Sequence, residues 1–124
     1  MQIGTPLLDE AARYLDLSTQ RMQLISSNMA NVDTPGYRTQ DIDFEQEFAR
    51  AANQALDARV GVETPQPQVQ LRQVDGLLER PDGNNVSMDR ESLQLGQLQL
   101  QFRAATALLK REFTRISDAI HADK

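Results

Sequence analysis

Asp41, Asp43, Glu45 and Glu47 set four carboxylates at alternating positions. That is the opening spacing of a calcium loop of the EF-hand type, in which acidic oxygens at every second residue converge on one hard cation. The rest of such a loop is missing. With Asp41 as first ligand, Gln46 stands where the sharp-turn glycine belongs and Ala52 where the bidentate acid belongs. A solvated acidic strip with Phe44 and Phe48 packing inward is the expected state. His121, the single histidine, has no Ser, Cys or ligand cluster at a recognisable spacing, and reads as a surface helix residue near a favourable dipole end. The chain has no cysteine, which removes disulfides, thiolate catalysis and Cys-based zinc sites. Phosphate-loop and dinucleotide glycine patterns are also absent. We therefore expect no enzyme, no catalytic residue, no metal site, no cofactor and no small-molecule substrate.

Composition narrows the partners. A net charge of -5 and a pI near 4.8 argue against nucleic acid, which needs a basic face to replace condensed counterions. No Lys/Arg cluster offers itself to anionic lipid. Asp9, Glu10, Arg13 and Asp16 interrupt the apolar positions near the start, so no cleaved signal peptide is expected. No uninterrupted apolar stretch approaches the roughly 20 residues that span a bilayer. The protein is then cytosolic or exported by another route. Aromatics make up only 5%, so burial rests on Leu, Ile, Val, Met and Ala, which favours helices over a β-sandwich.

Two segments show how the chain meets that demand. Leu8, Ala11, Leu15, Ser18, Met22, Ile25, Met29 and Val32 alternate steps of three and four, the seam of a long coiled-coil-like helix over 1–33. Thr5 is placed to cap it and Pro6 to occupy its first turn. Its other face carries Glu10, Arg13, Gln20, Arg21 and Gln23. Over 86–124 the pattern repeats in Leu95, Leu98, Phe102, Ala105, Leu109, Phe113, Ile116 and Ile120. Ser87 is the expected N-cap, and Asp89 and Glu91 suit the first turn. Leu93, Leu100 and Leu108 lie off this seam, giving the helix more apolar surface than one partner covers. Gly96 costs about 1 kcal/mol of helix propensity and would permit a close helix approach.

Between the helices, 34–49 reads as a turn motif and acidic segment. The stretch 50–85, interrupted by Gly61, Pro65, Pro67, Gly76, Pro81 and Gly83, reads as irregular. Within it, Val60 to Glu63 and Val69 to Val74 could form a short β-hairpin around Thr64 to Gln68. The expected fold is one structural domain, dominated by α-helix, its terminal helices paired as a coiled-coil-like hairpin. Leu15, Met22, Ile25, Phe102, Leu109 and Ile116 are the pairing residues, and Leu93, Leu100 and Leu108 the candidate intersubunit contacts.

The first helix runs into Asn28-Met29-Ala30-Asn31-Val32-Asp33-Thr34-Pro35-Gly36-Tyr37. Thr34, preceding proline, is pushed out of the helical basin; Pro35 sets φ for the first central turn position; Gly36 can take the positive φ of a type II turn. Asn28 and Asn31 share a helical face from which their amides reach last-turn carbonyls and the returning chain. Tyr37 supplies a ring and a hydroxyl. This stretch resembles the Asn-x-x-Asn and Thr-Pro-Gly-Tyr signature of flagellar rod and hook proteins, and Asp82-Gly83-Asn84-Asn85-Val86-Ser87-Met88-Asp89-Arg90-Glu91 resembles the segment opening the C-terminal helix of proximal rod members. The short length and Asp41-Ile42-Asp43-Phe44 are similar too.

The resemblance implies a structural subunit that polymerises through its terminal helices into a hollow axial assembly transmitting torque. It implies as partners copies of itself, other rod proteins, the membrane-ring protein, the rod adaptor and the export gate. It also implies a place in the basal body, in the periplasm, after passage unfolded through the flagellar type III apparatus. Another rod position within the family, or a soluble cytosolic helical adaptor binding one partner helix, would use the same seams.

Overall fold

The computed structural model describes residues 6–63, 65 and 68–122. Its framework is two long helices, α1 over Pro6–Ala30 and α3 over Met88–His121. Pro6 takes the first helical position, where its missing N–H has no partner to lose; the Thr5 cap lies outside the described residues. At 1.5 Å per residue, α1 is about 37 Å long and α3 about 51 Å. They run antiparallel. Asn28, near the end of α1, bonds Glu91 in the first turn of α3, while Leu7, Ala11 and Tyr14 near the start of α1 share a cleft with Gln101, Ala105 and Leu108.

Leu8, Leu17, Ile25 and Leu98 are buried along this hairpin, with Ile42 closing one end. Leu15, Met22, Phe102, Leu109 and Ile116 are half-buried. Ser18, the polar member of the α1 seam, is fully enclosed. The α3 seam departs from expectation beyond Leu109. Glu112 is half-buried there, whereas Phe113 and Ile120 are 58% and 56% exposed. The cause is length: α3 outruns the described part of α1, so its last turns have no partner among the described residues.

The middle of the chain holds a helix that periodicity did not announce. Helix α2 spans Phe44–Arg59, across both the acidic segment and the start of the region expected to be irregular. Asp43 caps it, accepting Gln46 N at 3.2 Å, and Glu45 and Glu47 lie in its first turn where the dipole favours them. It ends in a Schellman exit: Gly61 N donates to Ala58 O at 3.3 Å and Val62 N to Asp57 O at 3.0 Å, with Gly61 at φ 82°. Tyr14 of α1 meets Phe44 edge-on at a 5.1 Å centroid distance and Phe48 at 6.1 Å, which docks α2 on the second face of α1.

A small antiparallel sheet is present, with partners other than those expected. Strand β1 is Gln40–Ile42 and β2 is Leu71–Gln73, in register Gln40 to Gln73, Asp41 to Arg72 and Ile42 to Leu71. Val60 to Glu63 form no strand, because Val60 and Gly61 are consumed by the exit of α2. Of the turn expected at Thr64 to Gln68, residues 64, 66 and 67 lie outside the described residues. No described helix is long and apolar enough to cross a membrane.

Candidate functional site

The bend after α1 is built by its own sequence and then held by the rest of the chain. Tyr37 N donates to Thr34 O at 3.2 Å, and Gly36 sits at φ 75°, so Pro35 and Gly36 occupy the central positions of a type II turn. Asn31 closes the helix end: its Nδ2 donates to Ser27 O at 2.8 Å, and its Oδ1 accepts Thr34 Oγ1 at 3.0 Å.

The segment before α3 grips this bend through two adjacent asparagines. Asn84 Nδ2 donates to Asn31 O at 2.9 Å and Thr34 O at 2.8 Å, and its Oδ1 accepts Val86 N at 2.9 Å. Asn85 Oδ1 accepts Thr39 N at 2.7 Å while its Nδ2 donates to Val74 O at 3.1 Å. Backbone bonds complete the grip, Gly36 N to Asp82 O at 2.9 Å and Asn85 N to Tyr37 O at 3.3 Å. A Cβ at Gly83 would lie 3.5 Å from Gly36 Cα. The two glycines face each other across the contact.

Asn28 lies at the centre, 1% exposed. Its Nδ2 donates to Gln40 O at 2.8 Å and to Glu91 Oε2 at 3.0 Å; its Oδ1 accepts Tyr37 Oη at 3.0 Å and Gln40 N at 3.1 Å. The amide's full capacity of two donated and two accepted bonds is met. One side chain thus joins α1, the turn, β1 and α3. A chain of charge extends from it: Glu91 Oε1 accepts Arg90 Nη1 at 2.7 Å, Arg90 Nη2 lies 3.7 Å from Asp41 Oδ2, and Arg21 holds Asp41 through two 3.0 Å bonds. Asp41 and Glu91 are both buried, and each has an arginine to compensate it.

The fold therefore brings Asn28, Asn31, Thr34, Pro35, Gly36 and Tyr37 into one constellation with partners that sequence reasoning had not assigned to it: Asn84, Asn85, Arg21, Arg90, Asp41 and Glu91. An Asn-Asn pair following Asp82-Gly83 was the available signal, since amides beside a turn satisfy turn backbone. The acidic strip is not uniformly solvated. Asp41 lies in the arginine chain, Asp43 caps α2, and buried Glu47 pairs with Arg50 and accepts Gln70 N; only Glu45 is exposed. Among the described residues no cluster of His, Asp and Glu could hold a metal. His121 is exposed in the last turn of α3, its Nδ1 2.7 Å from Ser117 O. Leu93 and Leu100 are 64% and 72% exposed, and Leu108 is exposed as well. With every polar atom of Asn28 engaged, the arrangement is suited to holding four elements together.

Comparison with known proteins finds the same region. A family model described as "Flagella basal body rod protein" matches residues 15–38, the span from mid-α1 through the turn. The flagellar basal body rod protein FlgB of Yersinia enterocolitica is 34% identical, covering 82% of this chain and 87% of its own. The protein of that name in Escherichia coli K12 is 30% identical over 93% of this chain and 96% of its own. In Cereibacter sphaeroides the corresponding FlgB is 32% identical, over 90% of this chain and 91% of its own.

Proposed function

Because this chain belongs to the flagellar basal body rod protein family, we propose that its asparagine clasp sets the geometry in which paired terminal helices are presented for polymerisation. It is a structural subunit of the proximal rod, located in the flagellar basal body. The terminal helices pack against those of neighbouring subunits through contacts that do not close, the arrangement that generates an open helical assembly. Neighbours are copies of the chain, other rod proteins, the membrane ring, the rod adaptor and the export gate. The subunit reaches the periplasm unfolded through the flagellar type III apparatus, and it assembles rather than catalyses.

The observation that carries this reading is on α3. Leu93, Leu100 and Leu108 are exposed on a helix already paired with α1, and a Cβ added at Gly96 would meet nothing within 4 Å. A helix-weakening glycine that makes room for nothing in its own chain leaves that room to a neighbour. Electron microscopy of basal bodies carrying a labelled copy tests it. Density at the membrane-proximal end of the rod is expected; label absent from purified basal bodies would refute it.

A further inference from the structure

The sequence contains two Asp-Gly dipeptides, Asp75-Gly76 and Asp82-Gly83. In this pairing a side-chain carboxyl lies beside the next backbone N–H, which no Cβ shields. The glycine nitrogen can attack the aspartyl Cγ, form a C–N bond and expel the carboxyl OH, which leaves with the amide proton as water. The product is a five-membered succinimide. Water adding at its Cγ carbonyl regenerates aspartate. Water adding at its main-chain carbonyl gives isoaspartate, in which the backbone runs through the side chain and gains one methylene. No oxidant, reductant or further reactant enters, and the mass of the chain is unchanged.

Both dipeptides lie in the connection between β2 and α3, both aspartates are exposed, and both glycines take positive φ, 80° at Gly76 and 85° at Gly83. Their hydrogen bonding differs. Asp82 Oδ1 accepts Asn84 N at 3.0 Å, and Gly83 N donates to Arg80 O at 2.9 Å. The attacked carboxyl and the attacking nitrogen are each turned to another partner, and the Asp82 carbonyl between them accepts Gly36 N at 2.9 Å. Gly83 also packs on the turn, where a Cβ would lie 3.5 Å from Gly36 Cα. Closing the ring at Asp82 therefore requires the clasp to open first.

At the other dipeptide neither group is engaged. Among the described residues, the Asp75 carboxylate has no hydrogen bond or ion pair and Gly76 N donates to nothing. A Cβ added at Gly76 would meet nothing within 4 Å. The fixed backbone stops one residue earlier: Val74 N donates to Thr39 O at 2.9 Å and Val74 O accepts Asn85 Nδ2 at 3.1 Å. Rotation at Asp75 and Gly76 can bring nitrogen to Cγ without breaking a native bond.

We propose that Asp75-Gly76 is the site at which the folded chain converts to isoaspartate, and that the clasp protects Asp82-Gly83 from the same reaction. The product is a substrate for the class of S-adenosylmethionine-dependent methyltransferases that esterify isoaspartyl carboxyls. The inference is independent of the rod reading.

The test ages the full chain at neutral pH for several weeks, folded or in urea. Digestion and electron-transfer fragmentation then distinguish isoaspartate from aspartate at equal mass, and an isoaspartyl methyltransferase with labelled S-adenosylmethionine reports the total. In the folded chain, isoaspartate is expected to accumulate at residue 75 about tenfold or more faster than at residue 82, where native hydrogen bonds suppress the open form. In urea the two rates are expected to converge, because the same dipeptide then reacts without protection. Asp75→Glu, an exposed change that would need a six-membered ring, is expected to remove methyl labelling of the folded chain. Equal rates at the two sites in the folded chain, a faster rate at residue 82, or labelling that survives Asp75→Glu overturns the proposal. So does a folded chain that gains no isoaspartate at residue 75 while the chain in urea does.

Discussion

Replacing Asn28 with alanine removes four hydrogen bonds at a site 1% exposed. It strands the groups that shared them: the Tyr37 hydroxyl, Gln40 N and O, and one oxygen of buried Glu91. A buried polar group left unsatisfied costs about 1–3 kcal/mol, and a charged one more. Tyr37 is only half-buried and Glu91 keeps Arg90, so these penalties do not add in full; the expected loss is about 3–5 kcal/mol. For a chain of this length the melting temperature should fall by roughly 10–20 °C. Urea unfolding followed by circular dichroism gives the free energy. Asn31→Ala is the control, because its side-chain bonds are exposed and its loss should be about 1 kcal/mol. A double-mutant cycle with Glu91→Gln should show a coupling of about 1–3 kcal/mol. A loss below about 1 kcal/mol at Asn28, or strict additivity with Glu91, would mean the central amide does not hold the four elements together.

Asp41→Ala should cost about 2–3 kcal/mol in the same unfolding assay, since it leaves Arg21 and Arg90 facing one another, with partial exposure of both limiting the penalty. Gly36→Ala should cost about 1 kcal/mol through its φ of 75° alone, a Cβ there meeting nothing within 4 Å; a neutral result would show that the turn relaxes away from positive φ. Gly96→Ala should raise the stability of the isolated chain by about 1 kcal/mol yet reduce swimming on soft agar, and full motility would remove the argument for a close helix approach there.

The parts legible in sequence were those set by local period or local sterics. The two long helices follow from three- and four-residue steps, and the bend from Thr34-Pro35-Gly36. Where the pattern outran its partner, as at Phe113 and Ile120, periodicity alone could not tell a buried seam from an unpartnered end. Helix α2 carries a local cap in Asp43 and Gln46 and helix-favouring Ala51, Ala52 and Ala55, but it has no long three- and four-residue apolar seam, and its acids alternate in a pattern that reads as a solvated strip. Three-residue strands such as Gln40–Ile42 are too short to show alternation. The clasp was hidden for another reason. Asn84 meets Asn31 across 53 residues and Glu91 meets Asn28 across 63, and no local rule connects positions so distant.

The pairing of β1 with β2 draws the two ends of the intervening chain together at Ile42 and Leu71. Everything between them, α2 and the connection after it, is an excursion closed at its base, and the entropy of closing such a loop grows only slowly with its length. Here the gene can be lengthened or shortened with the least disturbance to the clasp. It is also where an epitope or fluorophore belongs: inserted beside exposed Val62, a tag would sit near the start of α1, where Arg59 meets Asp9, and away from the asparagine clasp.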